Sequence, residues 1–216
     1  MIIEVTGVPG SGKSTIYSKI TGGDFSNITF IQNKFNILNE LFLFFFFFYK
    51  ILQTYRYFAI LILIFKTNNS FFHKVNILRN IMKKISKYML YSNKKKIYLF
   101  DEGISHIPFN LFVDNSNSLL NRGEFIDIVQ LLPKVDALFI INVKKDLAIS
   151  RLKNRGHKRM NLENDKESEI FIEKSSEVIE MIKMYSINTE IIEIENSLDI
   201  VDAISQFEKK LKEINV

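Results

Sequence analysis

Gly7-Val8-Pro9-Gly10-Ser11-Gly12-Lys13-Ser14-Thr15 is the stretch whose residue types and spacing most directly specify chemistry. Glycines at the tight positions let successive backbone N–H groups point into one cradle, and a helix opening at Lys13 adds the positive end of its dipole. Such a cradle holds phosphate oxygens. Lys13 reaches the β- and γ-phosphates of a nucleoside triphosphate, and the Ser14 hydroxyl is placed to ligate Mg²⁺. Pro9, Gly10, Ser11 and Thr15 complete the binding stretch between Gly7 and the helix. All four fixed positions (Gly7, Gly12, Lys13, Ser14) are filled, which chance would achieve in about one per cent of chains of this kind.

Two further groups could act on a phosphate held there. Ile97-Tyr98-Leu99-Phe100 is an apolar run that ends in Asp101-Glu102-Gly103. An acid at such a strand end reaches Mg²⁺ through water or activates a hydroxyl. Neighbouring side chains on a strand point to opposite sides, so one carboxylate faces the nucleotide. Asp101 is read as that acid and as a metal ligand, with Glu102 left as a substrate contact, a base or a solvated turn residue. Arg151, Arg155 and Arg159 recur every four residues. On one helix they share a face, and guanidinium groups brought in by a closing segment stabilise a transferring phosphoryl group. Gly156 is expected to end that helix, with residues 155–162 forming a loop that orders on nucleotide.

The elements that must carry these residues alternate. Strands are expected at Ile2–Thr6, Ile28–Gln32, Lys96–Asp101, Val135–Val143 and Glu190–Ile194. Helices are expected at Lys13–Ile20, Glu124–Leu132, Lys145–Arg155, Lys166–Tyr185 and Leu198–Ile214, with Ile104–Gly123 read as a loop region. Between the second and third strands, residues 33–92 hold two or three helices without Gly or Pro, with a break near 66–70. Alternating strands and helices imply an α/β fold with a parallel sheet covered on both faces. The 216 residues suit a single domain in which 33–92 is a Phe-rich helical subdomain.

Composition excludes several classes. With no Cys there is no disulfide or thiolate metal site, which agrees with the cytoplasm, and no secretory signal is read at the start. A net charge of +5 is scattered and fits anionic small molecules rather than nucleic acid. There is no convincing guanine-reading Asn-Lys-x-Asp, since Asn33-Lys34-Phe35-Asn36 lies too early and ends in Asn. Twenty Phe with no Trp match an AT-rich coding bias. Leu41–Tyr49 and Tyr57–Phe65 are uncharged runs of nine residues each, less than half of the roughly twenty that a membrane-spanning helix needs. They are expected to form helices buried on most sides, with Phe lining one wall of an acceptor pocket. A dimer interface or a peripheral membrane contact is the rival.

The phosphate loop, the Asp101-Glu102-Gly103 strand end and the Arg-x-x-x-Arg stretch together resemble the P-loop kinases of small molecules, thymidylate kinase and other nucleoside monophosphate kinases being the nearest. The resemblance covers roughly residues 1–24 and 96–216. It implies the P-loop NTPase three-layer fold with a five-stranded parallel sheet, ATP as donor, Mg²⁺ as cofactor and a lid over the phosphates. Arg151 and Arg155 then take the lid role, with Arg151 also at the nucleotide, and Asp101 that of the strand-end acid. Thymidylate kinases usually place Arg after that Asp, where this chain has Glu102, and residues 33–92 offer only Arg56 and Arg79 as guanidinium donors. The acceptor is therefore open among a nucleotide, a sugar and another hydroxylated metabolite. An ATP-hydrolysing switch, or a membrane-associated ATP-binding module, is the alternative to a kinase.

Overall fold

The computed structural model describes residues 1–23, 25–31, 37–53, 56–66, 71–92, 95–113, 122–155, 165–186, 188–197 and 199–214. Five short runs rich in Ile, Val, Leu and Phe become strands β1 (Ile2–Gly7), β2 (Ile28–Ile31), β3 (Ile97–Asp101), β4 (Ala137–Asn142) and β5 (Glu190–Glu195). They form one parallel sheet in the order β2-β3-β1-β4-β5. Every residue of β1 is buried, as a central parallel strand covered on both faces must be. Register brings Val5 opposite Asp101 and Gly7 opposite Ile141, so the strand-end acid finishes beside the strand that feeds the phosphate loop.

Helices cover both faces. On one side α1 (Lys13–Ile20) and the last helix (Ile200–Ile214) bury Ile16, Ile20, Phe207 and Leu211 against Val5, Leu99 and Phe139. Phe139 and Phe207 stack with ring centroids 4.2 Å apart. The Tyr17 hydroxyl lies 3.1 Å from the Ile31 carbonyl and 3.0 Å from that of Leu99, tying α1 to two strands. The opposite side holds a second core of Phe109, Phe125, Leu138, Ile172, Val178 and Ile179. The five strands and the helices beginning at Lys13 and Lys145 fall where the sequence puts them, within two residues at each described end.

The insertion between β2 and β3 is three helices: α2 (Ile37–Gln53), α3 (Arg56–Lys66) and α4 (Phe71–Tyr91). Phe47, Ile60, Ile64, Ile81 and Ile85 pack there with Ile104, Ile107 and Ile128 from beyond β3. The expectation that the Phe-rich run is buried on most sides fails for α2. Leu43 and Phe47 are buried, but Leu41, Phe42, Phe44, Phe45, Phe48 and Tyr49 are exposed, Phe45 at 68%. One helix can turn only a limited stripe toward its neighbours, and nine consecutive apolar residues overfill it. Among the described residues no helix is long and apolar enough to cross a membrane.

Ile104–Gly123 is not simply a loop. Ile104–His106 is a 3₁₀ turn that runs into α5 (Ile107–Phe112), followed after residues outside the description by α6 (Arg122–Leu131). Pro108 reads as a breaker in sequence, yet it occupies the first turn of α5, where a missing N–H costs nothing. The remaining helices are α7 (Lys145–Arg155), α8 (Asp165–Tyr185) and α9 (Ile200–Ile214).

Candidate functional site

The phosphate loop bends where its glycines allow it. Gly10 and Gly12 sit at φ 84° and 87°, in the left-handed region that side chains disfavour. A Cβ on Gly10 would also meet the Ala148 carbonyl at 2.5 Å, and one on Gly7 would stand 2.7 Å from the Ile141 carbonyl and 2.7 Å from Ser11 Oγ. Ser11 is fully buried and its hydroxyl has no hydrogen-bond partner. Ser14 and Thr15 open α1 with exposed side chains. A tight turn of backbone with polar groups aimed inward is what a polyphosphate requires, so the residues present fit the donor.

The residue just past β5 holds the loop from its far side. The Asn196 side-chain amide donates to the Ser11 carbonyl at 2.7 Å, and its own backbone N–H donates to the Asn142 carbonyl at 2.9 Å. Arg151, half-buried on α7, brings Nη1 3.5 Å from the Gly10 carbonyl and 3.4 Å from the Asn196 carbonyl. Arg155 is exposed on the same helix and lines the pocket beyond the loop. The structure thus brings Arg151 against the phosphate loop and Arg155 to the cavity that the loop lines. Arg159, His157 and the expected lid at 156–162 lie outside the described residues.

Lys13 is not free to meet a ligand unopposed. Its Nζ is 3.0 Å from Glu102 Oε1, and His106 Nε2 stands 3.7 Å from Glu102 Oε2. Glu102 itself sits at φ 53°, a left-handed conformation that costs a non-glycine residue about 1–2 kcal/mol. Its position is over-determined. Lys84 Nζ donates to the Glu102 carbonyl at 2.8 Å. The following turn is pinned by Glu4, a fully buried carboxylate on β1 that accepts from Ile104 N at 2.6 Å, Ser105 N at 2.8 Å and Ser105 Oγ at 2.6 Å. Strain held in place by its surroundings is common at functional sites.

The two adjacent acids are electrostatically opposite. Burial would push the Glu102 carboxyl up, but His106, Lys13 and Lys84 outweigh it and hold it well below the usual carboxylate range. For Asp101, burial and the neighbouring Glu102 charge win over Lys13, Lys84 and Lys87, and its carboxyl is raised. Glu102 lines the pocket while Asp101 stands behind it, half-buried at the end of β3. Of the two, Glu102 is the one that reaches open space.

That space is a cavity of about 390 Å³. Pro9, Gly10 and Lys13 line it from the phosphate loop, Glu102 and His106 from the end of β3, Phe109 and Asn110 from α5, and Arg155 from α7. The expectation of a Phe-lined wall from Leu41–Phe65 is not met. The insertion contributes α4 instead, through Asn80, Lys83, Lys84 and Lys87. Those lysines, and the Asn196 and Glu4 anchors, are what the sequence reading missed. Lys83-Lys84-x-x-Lys87 was a usable signal, since helical spacing puts 83, 84 and 87 on one face. Nothing in the sequence marked Asn196.

No protein-family model and no curated protein sequence matches this chain. Solved structures do. Deoxyadenosine kinase from M. mycoides, with products dCMP and a flexible dCDP bound, superposes with a TM-score of 0.60 at 17% identity, covering 99% of this chain and 100% of that one. The same enzyme with bound dATP gives 0.56 at 17% identity, covering 98% of this chain and 100% of that one. With bound dCTP it gives 0.53 at 18%, covering 99% and 100%. The chain therefore shares the α/β fold of these P-loop kinases.

Proposed function

We propose that the protein is an ATP-dependent kinase that passes the γ-phosphoryl group to a small acceptor of the nucleoside or nucleotide kind. One observation carries this reading: the cavity beyond the phosphate loop is walled by cationic side chains and by the Glu102 carboxylate, and it has room for a second substrate. A loop that only hydrolysed its nucleotide would need space for one water. The fold neighbours support the same class.

Residues 7–15 would bind the triphosphate, with Arg151 beside the loop. Ser14 and Asp101 would hold Mg²⁺ on the protein side, and the ion would supply neutralisation of the charge that develops on the phosphates. No group of three or more His, Asp or Glu forms a metal site among the described residues, and such a site needs none because phosphates and water supply most ligands. An acceptor oxygen would form a bond to the γ-phosphorus as the bond to the β,γ-bridging oxygen breaks, releasing the diphosphate. Arg155 would meet the charge spread over the transferring group, and Lys13 would leave Glu102 for the phosphates. A hydroxyl acceptor would give its proton to Glu102 or Asp101. The subdomain at 33–92 would act on the acceptor side through α4. Such an enzyme would draw on cytoplasmic ATP.

A partner reading follows from the exposed apolar face. Leu41, Phe44 and Phe45 of α2 share one groove with Val75 of α4, and Phe71 and Phe72 extend it by one turn. Weighted by their exposed fractions, at about 200 Å² per fully exposed large side chain, these and Phe42, Phe48 and Tyr49 would contribute roughly 1,000 Å², against the ~800 Å² per partner of a stable complex. A second copy of this chain fits that area, and we take it as the occupant in preference to a membrane.

Incubation with γ-labelled ATP, Mg²⁺ and a panel of nucleosides and nucleotides tests the kinase. Label in an acceptor supports it; label only in free phosphate rejects it in favour of a hydrolytic switch.

A further inference from the structure

Glu4 lies in the middle strand of the sheet, 1% exposed, at a position where Val or Ile would satisfy packing. A carboxylate there is costly, and burial pushes its carboxyl up. Contact with a ligand does not account for it, since neither Glu4 nor Ser105 is among the described residues that line the cavity. Three hydrogen bonds reach it from one turn. It accepts from the backbone N–H groups of Ile104 and Ser105 at 2.6 and 2.8 Å, and from Ser105 Oγ at 2.6 Å. Those amides open the segment that runs through Ile104–His106 into α5, and Gly103 ahead of them makes no side-chain cap. Glu4 supplies the cap from 100 residues away. A Cβ on Gly103 would run into the Glu4 carboxylate, so this glycine is there for room.

The same turn joins the two sides of the site. Glu4 belongs to β1, which feeds the phosphate loop, and Glu102 N donates to the Val5 carbonyl of that strand at 3.2 Å. Glu102 precedes the turn and His106 follows it. Their side chains meet at 3.7 Å on the cavity wall, with His106 stacked on Phe109. The left-handed Glu102 backbone, at φ 53°, persists only while its surroundings hold it. Resting on the kinase reading above, we infer that Glu4 is a positioning residue for the acceptor side of the site. By gripping the Gly103–Ser105 turn it sets where Glu102 and His106 stand relative to the phosphate loop. Glu4 makes and breaks no bond itself. It acts through the backbone, where a misplacement of about 1 Å at a reacting group costs on the order of 10²-fold in rate.

The test uses the full chain with Mg²⁺-ATP and the best acceptor found among nucleosides and nucleotides. Glu4→Ala should lower kcat/KM for that acceptor by about 100-fold. Ser105→Ala loses one of the three hydrogen bonds, and it should lower the same quantity by about 10-fold, the scale of a hydrogen bond to a charged group. Glu4→Gln keeps one acceptor oxygen and should fall between Glu4→Ala and wild type. KM for ATP should stay within about threefold throughout. Added to Glu102→Gln, Ser105→Ala should change acceptor kinetics by less than about twofold, because both act through one side chain. Wild-type acceptor kinetics in Ser105→Ala and Glu4→Gln, or losses that multiply on Glu102→Gln, overturn the inference. Should Glu4→Ala not fold, those two variants carry the test. If no acceptor is phosphorylated at all, the kinase reading fails separately, and NMR titration of His106 decides the role of Glu4. Its midpoint in Ser105→Ala should move toward lower pH, as in Glu102→Gln, because the carboxylate partner withdraws. An unmoved midpoint in Ser105→Ala removes that role.

Discussion

Lys13 Nζ and Glu102 Oε1 are 3.0 Å apart, so the lysine of the phosphate loop is held by the carboxylate that lines the acceptor cavity. On the kinase reading, a bound nucleotide would have to draw Lys13 away from that partner. Lys13→Ala is therefore expected to lower kcat by about 10²–10³, the usual loss on removing one preorganised charge from a transferring group. Calorimetry should show weaker ATP binding as well. Full turnover in the variant would remove Lys13 from the chemistry.

The two acids separate by different measurements. Asp101→Asn should raise the Mg²⁺ concentration needed for half-maximal rate by about tenfold, because it removes a charge near the metal's place. Glu102→Gln should leave that requirement near wild type and change acceptor KM, because it unpairs Lys13 and His106 beside the cavity. A reversed pattern in Mg²⁺ titrations would exchange the roles.

Arg151→Ala and Arg155→Ala should differ. Arg151 lies against the Gly10 carbonyl and should affect ATP binding and turnover together. Arg155, exposed at the cavity mouth, should lower kcat by about 10-fold or more with little effect on ATP binding in the ground state. Stopped-flow binding and steady-state rates together read both quantities.

The buried lysines fix the sign of a pH effect on stability. Lys87 and Lys84 lie at about 7 and about 8 in the folded chain, below the ordinary lysine value of 10.5. Between these limits the unfolded chain binds more protons, so their contribution to stability rises with pH from about 7 toward 10. The charged groups acting on them are Lys83 on α4, Lys13 on α1, Glu4 on β1, and Asp101 and Glu102 at the end of β3. Lys87→Met should raise the melting temperature at pH 7 and flatten this rise between pH 7 and 9. An unchanged slope would mean that Lys87 stays charged in the fold.

Replacing Phe44, Phe45 and Phe48 by Ser should convert a dimer to a monomer in light scattering, with circular dichroism unchanged, since all three are exposed. A wild-type monomer that binds liposomes, and a variant that does not, would give this face to a membrane instead.

The sheet was legible because β3 and β4 are nearly continuous apolar runs and the other strands are short stretches dominated by Ile and Val. The phosphate loop was legible for the same local reason: every residue it needs lies within nine positions. The acceptor wall was not, because it depends on which face of α4 meets β3. The uncharged Phe text points to Leu41–Phe65, while Lys84 and Lys87 look like ordinary surface lysines in sequence, although the packing half-buries Lys84 and buries Lys87. Asn196 was harder still, since its partner Ser11 is 185 residues away in the chain.

That separation has a consequence for how the protein is made. β1 lies in the middle of the sheet between β3 and β4, and the loop after it is tied down by Asn196, just past β5. During synthesis β1 and its loop must wait for β4, which ends at Asn142, before both sheet neighbours exist, and for Asn196 before the loop is tied down. A nascent chain stopped before residue 190 would carry every signature residue of the phosphate loop without the strand that fixes its shape.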